Sequence, residues 1–139
     1  MSNAASNYLE NVALDHILGN TVYTPAGTLY LGLFTNDSTA AATNLEAGTL
    51  TDEVATAGGT LYVRKAIAFD AASGGSTSNT STVTFDAAGA NWGTITHVAV
   101  MDASTAGNVL FWGAVTTAKT IETGDTFQVS AGNLTISLA

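Results

Sequence analysis

The chain has 139 residues and a mass of 14.0 kDa, with 46% apolar residues, only 10% charged residues and a net charge of −8. That is one ordinary domain, with enough chain for a single core. Three basic residues (Arg64, Lys65 and Lys119) against eleven acids cannot form the basic stripe that nucleic acid requires, and an anionic membrane surface would repel such a chain.

The opening segment is the one good helical stretch. Asn7 is a capping residue type, and Glu10 follows three positions later, as in a capping box. Leu9, Val12, Ala13 and Ile17 recur at three- and four-residue steps, Leu14 and Leu18 broaden the stripe, and Gly19 is a natural stop. This predicts a helix over about 7–18. A helix this short is marginal alone, so it is expected to lie against a sheet or a neighbouring subunit.

From residue 20 onward the pattern is strand and turn. Residues 28–35 place Leu29, Leu31 and Leu33 on one face and Tyr30 and Phe34 on the other, which suits a central strand. Residues 36–59, rich in Ala, Thr, Asn and Gly, read as a long surface loop with a short helical turn near Leu45 to Glu53. In residues 61–69, Leu61, Val63, Lys65, Ile67 and Phe69 alternate with Tyr62, Arg64, Ala66 and Ala68. Residues 72–79 read as a turn, and 81–86 as a strand carrying Val83 and Phe85. Residues 95–101 set Ile95, His97, Ala99 and Met101 opposite Thr96, Val98 and Val100. Gly107-Asn108 then turns the chain into an antiparallel partner over 109–116. Short strands at 120–122 and 126–130 flank Gly124-Asp125, and 133–139 closes the chain.

About eight short strands with connections too short for helical crossovers predict an all-β fold. The expected architecture is an antiparallel β-sandwich, jelly-roll-like, spanning 1–139 as one domain with the single N-terminal helix. A mean hydropathy of +0.27 argues against disorder. No apolar run approaches a membrane span of roughly 18 residues, and no signal-peptide pattern opens the chain.

Chemistry is thinly supplied. Cysteine is absent, so there is no thiolate and no Cys-based metal site. His97 shares its strand face with Ile95, Ala99 and Met101 and reads as a structural histidine; as a general base it would need an acid such as Asp102 or Asp15 brought near. His16 suits the C-terminal end of the helix dipole. The carboxylates are mostly solitary and fall at strand ends and turns, where Asp caps backbone amides. There is no calcium-loop pattern, phosphate loop, nucleophile elbow or HExxH; loop-bound calcium at the acid-bearing turns is the remaining metal alternative. Trp92 and Trp112 suit a core or interface, with sugar stacking as the alternative. The expectation is no enzyme, no catalytic residues, no cofactor and no metal.

Ala5-Ser6-Asn7-Tyr8-Leu9-Glu10-Asn11, Leu14-Asp15-His16 and Leu29-Tyr30-Leu31-Gly32-Leu33-Phe34-Thr35 together resemble a family of small tailed-bacteriophage virion proteins. Gly58-Gly59-Thr60-Leu61-Tyr62-Val63-Arg64 is similar to that family's Gly-Gly-x-Tyr-x-Arg element, with one extra residue before the Tyr. Ala90-Asn91-Trp92-Gly93, Leu110-Phe111-Trp112-Gly113 and Ala131-Gly132-Asn133-Leu134 extend the resemblance over almost the whole chain. The resemblance implies a β-sandwich that works by assembly: a capsid decoration (cement) protein on the phage head surface, assembled in the host cytoplasm. Its implied partners are the major capsid protein and, as a homotrimer, its own copies. The alternative is a tail or tail-fibre-associated structural or receptor-binding module. The residues expected at the interface are Tyr8, Leu9, Val12, Tyr62, Arg64 and Trp92. The helix and the 36–59 loop are the segments expected to reach a neighbour.

Overall fold

A computed structural model describes residues 4–138. A two-residue strand, β1 (Ala4–Ala5), leads directly into helix α1 (Asn7–Ile17). The cap is Ser6 rather than Asn7: Ser6 is extended, and its Oγ accepts the Leu9 amide at 3.2 Å. Gly19, at φ +80°, ends the helix as expected, and the Asn20 amide donates back to the Asp15 carbonyl at 2.8 Å.

The remaining elements are β2 (Leu29–Phe34), α2 (Ala41–Glu46), β3 (Lys65–Ile67), β4 (Ser76–Ser78), β5 (Val83–Thr84), β6 (Gly93–Met101), β7 (Val109–Ile121), β8 (Gln128–Val129) and β9 (Thr135–Ser137). The main sheet has the order β1-β7-β6-β2-β3, with every pair antiparallel. The second layer is two separate ribbons, β4–β9 and β5–β8. The expected antiparallel sandwich is therefore present, with a divided second layer. Ala139, in the expected last strand, lies outside the described residues.

The core lies between the layers. Leu31 and Leu33 of β2 and Val98 and Val100 of β6 pack against Val83, Phe85, Val129, Leu134 and Ile136 of the ribbons and their flanks. On the sheet's other face, Phe34, Ala99, Met101 and Val109 bury against Leu45 of α2. Both faces of β2 are thus covered, as its continuous apolar run requires.

Five expectations are corrected. Ile95 does not share a face with Ala99 and Met101: a bulge between Ile95 and His97 turns it to the Val98 side. β7 runs through Ile121, absorbing the separate strand expected at 120–122, and 76–78 pairs as β4 instead of turning. Residues 36–59 are not a loose loop, since Leu45, Asp52 and Val54 are buried and Val54 N–H donates to the Leu33 carbonyl at 3.0 Å. Finally, only Lys65–Ile67 pair with β2. Before them Leu61 sits at φ +58°, Leu61 and Val63 face out, and Tyr62 and Arg64 face in.

Candidate interaction surface

Tyr62, Arg64 and Trp92 are engaged inside the domain. Beyond Leu31, β2 meets the 52–54 segment instead of β3, through a bridge between Phe34 and Glu53, and the Tyr62 hydroxyl fills the gap between the two by accepting the Leu33 amide at 2.9 Å. It donates in turn to Glu53 Oε1 at 3.0 Å. Burial, aided by the Glu53 charge, pushes the Tyr62 phenol well above its ordinary value.

Arg64 grips the same carboxylate in a fork: Nε to Oε1 at 2.6 Å and Nη2 to Oε2 at 2.7 Å. Its Nη1 donates to the Ala103 and Ala106 carbonyls at 2.8 and 2.7 Å, at the tip of the β6–β7 hairpin. Burial opposes the Arg64 charge, but Glu53 outweighs it and holds the guanidinium above its usual value. Trp92 packs edge-on against Tyr62 and Phe85, and its Nε1 donates to the Thr60 carbonyl at 2.8 Å. None of the three side chains is offered to a partner in this conformation.

A second polar group lies beneath α2. Asp52 accepts from the Ser38 amide (2.9 Å), Ser38 Oγ (2.6 Å) and Asn44 Nδ2 (3.3 Å). Burial disfavours its charge, but these hydrogen bonds and the nearby His97 prevail, and its pKa lies below the usual carboxylate range. Burial holds His97 below its ordinary value, partly offset by Asp52. The acid beside His97 is therefore Asp52, not Asp102 or Asp15. Asp102 instead binds the Asn108 amide and side chain within the hairpin turn. The His97 ring rests beside Trp112, whose Nε1 donates to Glu46 at 2.9 Å. Among the described residues there is no group of three or more His, Asp or Glu able to hold a metal ion, and no helix is long and apolar enough to cross a membrane.

Both depressed values make stability fall on acidification, because the unfolded chain binds more protons over each window. The His97 contribution is lost as pH falls from about 6.5, the unfolded value, through its lower folded value. The Asp52 contribution is lost below about 4. The urea midpoint of the wild type is expected to decline in both windows, with His97→Gln flattening the upper one and Asp52→Asn the lower. Equal slopes in wild type and variants would refute this assignment.

Among the described residues the exposed large apolar side chains are Leu61, Val63 and Leu138, and a larger group at α1 and the turn that follows it. The helix lies against β1 and β7 with no fully buried residue. Tyr8, Leu9 and Val12 are half-buried on its inner side. Leu14 (57% exposed), Ile17 (76%) and Leu18 (71%) form its outer stripe, and Val22 (79%) follows just past the turn. That turn is held by the Tyr23 amide donating to His16 Nδ1 at 3.1 Å. The outer stripe was not among the expected interface residues. Its signal was the breadth of the helical pattern: Leu14 and Leu18 widen the apolar arc beyond what one contact face uses. A few hundred Å² of contiguous apolar surface is typical of functional patches. A second apolar feature is a cavity of about 250 Å³ lined by Leu29, Phe69, Leu110, Phe111, Ile136 and Leu138, open between the sheet and the β4–β9 ribbon.

The ion pairs among the described residues are Arg64–Glu53 and Lys65–Asp86, which leaves Lys119 outside any. The surface is thus acidic and cation-poor, with its main apolar stripe on α1. No curated protein matches the chain. A family model described as podophage GP4 fiber I protein gp80 matches residues 4–137. The chain therefore belongs to the podophage GP4 fiber I protein gp80 family, a family of phage virion structural proteins.

Proposed function

We propose that this chain is a non-enzymatic component of the phage particle that docks through the outer stripe of α1. The observation that carries the reading is that stripe, presented by a β-sandwich in which, among the described residues, every buried side-chain polar atom has a hydrogen-bond partner. The family description favours a place in a fibre. The second reading, a decoration protein bound to the major capsid protein on the head, is favoured by the small size and the 10% charge, since weakly charged surfaces lose little on desolvation. In either place, repeated contacts give avidity from individually small interfaces.

Cryo-electron microscopy of the virion tests both. Density for this sandwich within a fibre supports the first reading, density on the capsid lattice supports the second, and its absence from the particle overturns both. Ile17→Asp is expected to leave the melting curve within about 0.5 kcal/mol of wild type, as for exposed sites generally, while removing the chain from particles. Unchanged incorporation of Ile17→Asp would exclude α1 as the docking element.

A further inference from the structure

We infer that the surface receiving α1 is an apolar groove rimmed by lysine or arginine on a different virion polypeptide, not a second copy of this chain. The inference rests on the docking role proposed for α1 and adds the chemistry of its partner.

The argument is one of charge. At helical spacing, Glu10 lies on the same stripe as Leu14 and Ile17 (positions i, i+4 and i+7), and Asp15 flanks Leu18. Both acids are exposed. A third carboxylate, Asp102, lies close enough to Tyr23, behind the turn, to raise that residue's pKa together with burial and Tyr8. The docking stripe is therefore an apolar strip with acid at one end and acid along its side. A partner that buries it must supply cations, because an unpaired carboxylate at an interface costs more than the apolar contact beside it returns.

A second copy is poorly equipped to do so. Of its three cations, Arg64 is buried in the Glu53 fork and Lys65 is held by Asp86 at 2.7 Å. Lys119 alone is outside an ion pair among the described residues, and it lies in the distal half of β7, paired opposite Ile95. Two copies meeting through α1 would oppose Glu10 and Asp15 with like charges on chains that each carry −8.

The test is incorporation into particles. Phage lacking its own copy is supplied with wild-type, Glu10→Lys, Asp15→Lys or Ile17→Asp chains. Particles are washed at low and high salt, and copies per particle are counted by quantitative mass spectrometry. Melting curves of the purified chains confirm that each variant is folded. Wild-type occupancy is expected to survive low salt and drop at high salt, and each lysine variant is expected to lose about tenfold or more in occupancy, the equivalent of about 1.4 kcal/mol. Loss with Ile17→Asp but full occupancy with both lysine variants would overturn the basic rim while leaving the docking role of α1 intact. Light scattering that shows self-association of the wild-type chain, abolished by Ile17→Asp, would instead assign the stripe to a second copy and overturn the inference.

Discussion

Arg64→Ala is expected to lower folding stability by about 3–5 kcal/mol, the cost of leaving a buried charge without its partner. That is a large share of the roughly 5–15 kcal/mol that holds a domain folded. The cost follows from what Arg64 joins. One guanidinium spans Glu53 in the 36–59 segment and two carbonyls at the β6–β7 hairpin tip. Glu53 also receives the Tyr62 hydroxyl, which in turn accepts the Leu33 amide of β2. Removing the cation strands a half-buried carboxylate and two carbonyls at once. Urea unfolding of Arg64→Ala, Glu53→Ala and the double variant measures this. The double variant is expected to cost clearly less than the sum of the singles, because each single already breaks the shared fork. Strict additivity, or a single-variant cost below about 1 kcal/mol (the range of exposed pairs), would show that the fork is not a unit.

Trp92→Ala is expected to cost about 3–5 kcal/mol, as for other large aromatics truncated in a core. Trp92 is only 5% exposed and fills the space between Tyr62 and Phe85. Trp92→Phe is expected to cost less, keeping most of the ring contacts while depriving the Thr60 carbonyl of its donor. Urea unfolding together with near-ultraviolet circular dichroism reads both, since the aromatic cluster dominates that signal. A tryptophan serving a surface interface would leave stability within about 0.5 kcal/mol on truncation, so the measurement separates the two roles of this residue cleanly.

The elements legible in the sequence were those whose pattern is local. α1 with its Gly19 stop, β2 with two apolar faces and the β6–β7 hairpin around Gly107-Asn108 each carry their signal within a dozen residues. What escaped depended on partners far along the chain. The alternation expected over 61–69 changes phase: Tyr62 and Arg64 turn inward, then Ile67 does, and the first of these is fixed by Leu33, 29 residues earlier, whose amide Tyr62 accepts. Ile95 changed sides because of a bulge, and a bulge leaves no mark in a period-two pattern. Residues 36–59 looked loose because Ala, Thr and Asn give weak periodicity, yet Asp52 and Leu45 anchor them. The residues expected at the interface, Tyr62, Arg64 and Trp92, lie in two of the elements that carry the family resemblance, and aromatic and basic residues serve cores as readily as contacts. In α1 the expected residues Tyr8, Leu9 and Val12 lie on its half-buried inner side. The sequence shows an apolar arc, not which part of it the fold consumes.

The seat of α1 has a consequence in time. The helix is synthesised about a hundred residues before what fixes it: β1 pairs with Phe111 and Trp112, and Ser6 donates from its amide and hydroxyl to the carbonyls of Leu110 and Val109. Contacts across a hundred residues close late, and a short helix without tertiary support is barely populated. A chain interrupted before residue 109 thus holds the helical sequence without the platform that orients it. Under the docking role proposed for α1, readiness for assembly is thereby tied to the laying down of β7, so chains that stop short of it lack a correctly presented helix.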